Sequence, residues 1–125
     1  MFYKVINRNG LKESGKSSNF YCAPKSMGVI SLEDIAEVIE KRSALSAGDV
    51  MSVLENFINV AAESAQLGFS VQAGGLGTFV PTFKSGGVPN KEDCSGRLIH
   101  SVRLSFRASD KLRRKLNDTE FKEFK

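Results

Sequence analysis

Tryptophan is absent from this 125-residue sequence, histidine occurs once, cysteine twice and proline three times. A single histidine leaves little material for a zinc site or a His-based catalytic triad. Cys22 and Cys94 are far apart and lack metal-ligand spacing; free thiols are the expectation, with a disulfide still open at the level of sequence. No apolar run approaches the roughly 20 residues needed to span a bilayer. The N-terminus, MFYKVINRNG, has neither the apolar core nor the cleavage pattern of a signal peptide. These absences point to a cytoplasmic protein with no membrane segment. Internal repeats and low-complexity segments are also missing.

What is present suits one modest core: 41% hydrophobic and 26% charged residues. The net charge of +4 is unevenly placed. Through Phe83 there are seven Lys/Arg against eight Asp/Glu, and from Lys84 onward eleven against six. A basic excess confined to the C-terminal third fits an anionic partner, nucleic acid first, and also fits a solvated surface.

The pattern of the chain is organised around Phe69–Phe79, FSVQAGGLGTF. Phe69, Val71 and Ala73 alternate with Ser70 and Gln72, as in a strand with one buried side. Gly74, Gly75 and Gly77 allow a tight reversal, with Leu76 expected to fold back onto the core. Before this hairpin, Ser31 and Ser46 each begin a helix, with Asp34 and Asp49 three residues on as capping-box partners. Leu32, Ile35, Ala36 and Ile39 form the apolar stripe of the first helix, which ends near Ser43. Val50, Val53, Leu54, Phe57, Ile58, Ala61 and Ala65 form a face on the second that is wider than one short partner helix would cover. That width suggests a second subunit. Gly68 marks the end of the second helix.

The flanks are more irregular. Phe2–Asn7 reads as a strand, Arg8–Asn19 as a loop and Phe20–Pro24 as a second short strand. After the central hairpin, Pro81 requires an unpaired N–H side, at an edge or a bulge. Ser85–Gly96, SGGVPNKEDCSG, has the composition of a loop or arm. In Ile99–Arg107, Val102, Leu104 and Phe106 face one way, and Ser101, Arg103, Ser105 and Arg107 the other. Ser109 caps a short helix over Asp110–Asn117, and residues 118–125 are expected to fray, with Phe121 and Phe124 available to dock. His100 reads as a surface residue.

The order of these parts, and above all Gly75-Leu76-Gly77-Thr78-Phe79, resembles the HU/IHF family of bacterial nucleoid DNA-binding proteins. The family's turn reads Gly-Phe-Gly-Thr-Phe, with Phe where Leu76 stands. The resemblance covers about Val29 to Asn117. The added N-terminal strands and short arm are similar to the branch with an N-terminal extension, common in Bacteroides-type bacteria. The resemblance implies an α+β fold: an N-terminal helical hairpin, a three-stranded antiparallel sheet with a short arm, a short C-terminal helix and an additional N-terminal strand pair. It further implies an intertwined homodimer. The implied division is an extension over 1–28, a DNA-binding domain over 29–117 and a charged tail over 118–125. The implied function is architectural, largely sequence-independent binding of duplex DNA in the nucleoid, with no cofactor, metal or small-molecule substrate.

In that family a proline at each arm tip wedges between base steps. Here Pro89 is a shortened wedge or an ordinary turn proline. Glu92 and Asp93 depart from the family's basic arm and oppose attraction to phosphates. The residues left for DNA are Lys84, Lys91 and Arg97 around the arm, Arg103 and Arg107 on the strand, and Lys111, Arg113, Arg114 and Lys115 on the last helix. The competing expectation is a protein-interaction dimer of the same fold with weak or lost DNA binding. An enzyme is disfavoured: Cys94 has no evident activating base, and Gly74-Gly75-Leu76-Gly77 lacks the Lys-Ser/Thr ending of a phosphate loop.

Overall fold

The computed structural model describes residues 1–12 and 15–125, and of residues 9–12 and 15–18 the backbone only. The chain runs β1 (Phe2–Lys12), β2 (Gly15–Pro24), α1 (Leu32–Arg42), α2 (Ala47–Gln66), β3 (Val71–Gln72), β4 (Gly77–Ser85), β5 (Ile99–Ala108), α3 (Asp110–Asn117) and β6 (Lys122–Glu123). Two 3-10 turns, Lys91–Asp93 and Gly96–Leu98, lie between β4 and β5. Among the described residues no helix is long and apolar enough to cross a membrane.

Both long helices begin with full capping boxes. Ser31 Oγ accepts from Asp34 N at 3.1 Å while Ser31 N donates to Asp34 Oδ2 at 2.9 Å. Those bonds hold the Asp34 carboxyl below its ordinary value, the backbone N–H of Ser31 contributing most. Ser46 and Asp49 repeat the arrangement at 3.1 and 3.4 Å. The Glu40 carboxylate accepts from Ala47 N at 3.1 Å, which ties the end of α1 to the positive end of α2. Helix α2 closes with a Schellman motif: Phe69 N donates to Ser64 O at 3.1 Å and Gly68 N to Ala65 O at 3.0 Å. Gly68 has φ +93°, which its lack of a Cβ permits.

The strands form two separate sheets, β2-β1-β6 and β3-β4-β5. In the second, β3 pairs with β4 only over Val71↔Phe79 and Gln72↔Thr78. Pro81 therefore lies beyond the end of β3, where no neighbour on that side needs its N–H. The β4–β5 ladder runs from Gly77↔Ala108 to Ser85↔Ile99 and slips once. Thr82 faces Arg103 and Lys84 faces His100, so Phe83 alone opposes Ser101 and Val102, a β-bulge. Ser101 takes up the extra residue at φ +55°, a left-handed conformation that costs about 1–2 kcal/mol for a residue with a Cβ. This corrects the simple alternation expected of β5, because Ser101 leaves the arginine face and His100 joins it.

The first sheet differs from the sequence expectation in two ways. Strands β1 and β2 continue into the segment expected to loop, with Asn9↔Ser18, Gly10↔Ser17, Leu11↔Lys16 and Lys12↔Gly15 in register, while residues 13 and 14 lie outside the described residues. A two-strand ladder satisfies backbone groups whatever the side chains, so polar composition did not prevent it. The C-terminal segment does not fray: β6 pairs in parallel with β1, the Phe2 and Phe124 rings meet edge to face at 5.8 Å, and the terminal ammonium of Met1 donates to Glu120 O at 2.6 Å. Docking by Phe124 thus supplies the contacts that a charged tail alone would lack.

Among the described residues only the Ala36 and Val50 side chains are buried apolar groups. Val53, Phe57 and Ile58 of the wide α2 face remain 62%, 44% and 51% exposed. Leu76 does not fold back onto a core and is half exposed. Its turn is instead held by its backbone, because Ser109 N donates to Leu76 O at 3.1 Å.

Gly77 is the most closely confined of the described glycines. Its φ is +148°, and a Cβ there would stand against the Arg107 carbonyl oxygen and 2.9 Å from the Phe106 ring. Gly77→Ala is expected to destabilise the protein by about 2 kcal/mol or more, through strain and overpacking together. Chemical denaturation checks this, with Gly87→Ala, which meets nothing within 4 Å, as the control expected to stay near wild type.

Candidate nucleic-acid interface

Residues opposite one another in an antiparallel ladder share a face, so the β4–β5 register sorts the second sheet into two surfaces. One carries Phe79 and Pro81 with Phe106 and Leu104 opposite, and the Phe79 and Phe106 rings stack at 5.0 Å between centroids. The other carries Gln72, Thr78, Val80, Thr82 and Lys84 from β3 and β4, with Arg107, Ser105, Arg103 and His100 opposite on β5. No carboxylate lies on this second face of the strands. Its side chains are mainly cations, hydroxyls and one amide, the set that contacts phosphate oxygens without reading bases.

Helix α3 closes one end of this face. Ser109 Oγ accepts from Leu112 N at 3.0 Å and also donates to Gly75 O, so one hydroxyl caps α3 and clamps it to the β3–β4 turn. The clamp brings Arg113 beside Arg107. Both line an open concavity of about 550 Å3 with Gln72, Gly74, Thr78 and Asp110. They also share a neighbouring hollow with Val80, Thr82 and Ser105, so the basic surface is continuous from the strands onto the helix. The Asp110 carboxylate lies 3.9 Å from Arg113, both well exposed, a pair worth little to stability. It is the only ion pair among the described residues.

The structure brings some of the sequence candidates together and leaves others apart. Arg103, Arg107 and Lys84 share the strand face, and Arg113 joins them. Lys111, Arg114 and Lys115 lie on α3 but line neither hollow; the Lys111 stem passes near Gly75, and Arg114 Nε donates to Asp110 O at 3.4 Å. Pro89, Lys91 and Arg97 belong to the arm, whose ends are tied by Gly86 N donating to Leu98 O at 3.1 Å. Lys91 shares its 3-10 turn with Glu92 and Asp93. Sequence reasoning missed Gln72, Thr78, Thr82 and Ser105, which become neighbours of the arginines only through the register. Their alternation was readable, but the strand opposite was not. Among the described residues no group of His, Cys, Asp and Glu could hold a metal ion, and Cys22 and Cys94 are free and exposed.

With a helical hairpin, a Gly-Leu-Gly-Thr-Phe turn, a three-stranded sheet and a basic face closed by a short helix, the chain fits one class of protein. Residues 1–123 match the model of the family described as HU domain fused to wHTH, Ig, or glycine-rich motif, and the chain belongs to that family. The match includes the N-terminal strands and β6, so both are part of the family's pattern. A solved structure with a similar fold is that of a candidate bacterial DNA-binding protein from Bacteroides vulgatus, at a TM-score of 0.64 and 20% identity. The similarity covers 98% of this chain and 47% of that one, so the present chain spans about half the length of its structural neighbour. No curated protein matches the sequence.

Because one hydroxyl both caps α3 and holds the turn, Ser109→Ala is expected to lower stability by about 1–2 kcal/mol. Hydrogen exchange should show the loss concentrated in α3 and residues 73–77, whereas a uniform change across the protein would count against the clamp.

Proposed function

We propose that this protein binds duplex DNA as a homodimer, largely without regard to sequence, through the basic face of β4, β5 and α3. The observation that carries this reading is the ladder register that sets Arg103, Arg107 and Lys84 on one carboxylate-free strand face, continuous with Arg113. Cations so arranged neutralise phosphates and release counterions, which gives affinity without base readout. Membership of an HU-domain family and the likeness to a candidate DNA-binding protein support the same conclusion. Lys84, Arg103, Arg107 and Arg113 are the main contacts. Arg97, Lys111, Arg114 and Lys115 add to the surrounding positive field. Lys91 and Pro89 belong to an arm whose Glu92 and Asp93 weaken it, so Pro89 serves as a turn residue rather than as the chief wedge. On this reading the role is architectural rather than catalytic, and the nucleoid is where the protein acts.

The dimer is supported by surface area. The protomer exposes 10784 Å2, against about 6,600 Å2 expected of a folded monomer of its 13.7 kDa. An obligate dimer interface of about 2,000–5,000 Å2 accounts for part of this excess. The α2 face, with Val53, Phe57 and Ile58 uncovered, is the surface such a partner would cover. Sedimentation is expected to give twice the 13.7 kDa of one chain, and Phe57→Asp to yield monomer or insoluble protein. A compact wild-type monomer would remove the dimer from this proposal.

The DNA reading is tested with a short random-sequence duplex over a salt series. Wild-type affinity is expected to fall steeply with salt, and Arg103→Ala/Arg107→Ala to reduce the log–log slope by about one for each phosphate left without its arginine. The second reading, a protein-interaction dimer with little DNA affinity, is favoured by Glu92 and Asp93 on the arm. Absence of binding even at low salt would establish it over the first.

A further inference from the structure

We infer that the β2-β1-β6 sheet carries a second nucleic-acid site, one that takes a single strand by stacking its bases on exposed rings and holding its phosphates on cations. This site shares no residue with the duplex-binding face above and does not depend on it. The ladder register sorts this sheet as it sorts the other. Lys4 faces Ala23, Ile6 faces Tyr21 and Arg8 faces Asn19, so these residues lie on one side. Lys25 continues the ladder past Pro24, since its N–H donates to Phe2 O at 2.9 Å. Across β1, Lys122 of β6 pairs with Phe2, which puts Phe124 on the same side two residues on. The side-chain contacts agree with this sorting. Arg8 lies over the Tyr21 ring at 5.9 Å, Lys25 lies over the Phe124 ring at 5.1 Å, and Asn19 Nδ2 donates to Tyr21 Oη at 3.2 Å.

The face so defined holds four cations, Lys4, Arg8, Lys25 and Lys122, and no carboxylate among the described residues. Glu123 falls on the opposite face with Tyr3. None of the four cations forms an ion pair among the described residues. The overall charge count hides this set: five of the seven Lys/Arg before Lys84 precede Ser31, against one of the eight Asp/Glu. An uncompensated cationic face fits an anionic partner. The rings decide which one. The basic face of β4 and β5 carries no Phe or Tyr, which suits a duplex whose bases are stacked on one another and reached only through their phosphates. Here Tyr21 and Phe124 stay 48% and 46% exposed among the cations. An unpaired base can stack on such a ring while its phosphate meets the neighbouring Lys or Arg, and a base inside a duplex cannot. Single-stranded DNA and single-stranded RNA offer this chemistry alike.

The chain has no tryptophan and two tyrosines, so in Tyr3→Phe the tyrosine emission comes from Tyr21 alone. The test titrates that variant with oligothymidylate and oligouridylate of about 20 nucleotides, long enough to span such a site. Emission from Tyr21 is read beside the anisotropy of a labelled strand, over a salt series. Binding is expected to quench Tyr21; quenching by either strand supports the site, and the tighter one shows which sugar it takes. Tyr21→Ala should weaken single-strand binding about tenfold, while Tyr21→Phe, which keeps the ring, should bind as the wild type does. Lys4→Gln/Arg8→Gln should lower the log–log salt slope by about 0.7 for each phosphate released. Arg103→Ala/Arg107→Ala should leave these responses in place. Binding without quenching, full affinity in Tyr21→Ala, or loss of single-strand binding in Arg103→Ala/Arg107→Ala would overturn the site. So would a loss of duplex affinity in Lys4→Gln/Arg8→Gln as large as the loss for single strands. Absence of single-strand binding would overturn it while leaving the duplex reading to its own test, and absence of duplex binding alone would leave this site standing.

Discussion

The register of β4 against β5 is the constraint on which the rest of the interface depends. It is pinned at Gly77, which faces Ala108 and leaves no room for a side chain between itself and the Arg107 carbonyl. From that point the two-residue period of the strands sends aromatic and aliphatic groups to one side and arginines with hydroxyls to the other. A slip of one residue would carry Arg103 and Arg107 to the apolar side and Phe106 to the polar one. Ser109, immediately after β5, then hangs α3 from the same turn, so the position of Arg113 is set by the same register.

The two sheets differ in character. The β3-β4-β5 sheet is built from strands close in sequence and presents charge on one of its two faces. The β2-β1-β6 sheet joins the two ends of the described chain and presents apolar surface, including a hollow of about 450 Å3 lined by Met1, Phe2, Tyr3, Cys22, Ala23, Pro24 and Phe121. Its aromatic side chains pair with cations at its margins, Arg8 over Tyr21 at 5.9 Å and Lys25 over Phe124 at 5.1 Å. This partition puts surface suited to anions and surface suited to apolar groups on different parts of one short chain.

Local features of this fold were legible in the sequence. Ser31 with Asp34, Ser46 with Asp49 and Gly68 after α2 each act within a few residues, so spacing alone identified both caps and the helix end. The family resemblance carried by Gly75–Phe79 was legible for the same reason. What was not legible is pairing at a distance. The β1–β2 ladder pairs residues 9–12 with residues 15–18, where polar composition suggested a loop, because backbone hydrogen bonds leave no mark on the sequence. Phe124 was visible as a residue able to dock, but its partner, Phe2, lies at the other end of the chain. Leu76 was expected inside and is half exposed, since its turn is held by backbone bonds rather than by burial. The arginines of β5 were found by alternation; Thr78, Thr82 and Gln72 beside them, and the bulge that turns His100 toward them, were not.

The parallel contact between β1 and β6 has a kinetic meaning. It joins Phe2 to Lys122 and Tyr3 to Glu123, so it closes a loop of nearly the whole described chain. Closing a flexible loop of that length costs about 4 kcal/mol of chain entropy before one of these bonds is made. A contact of two residues and one aromatic pair cannot meet that cost in an unfolded chain. It can once α1, α2 and the second sheet have shortened the path between the ends. The β1–β6 pairing is therefore expected to close after the elements between its two strands have folded. A contact of such long sequence separation is expected to seal the fold and not to nucleate it.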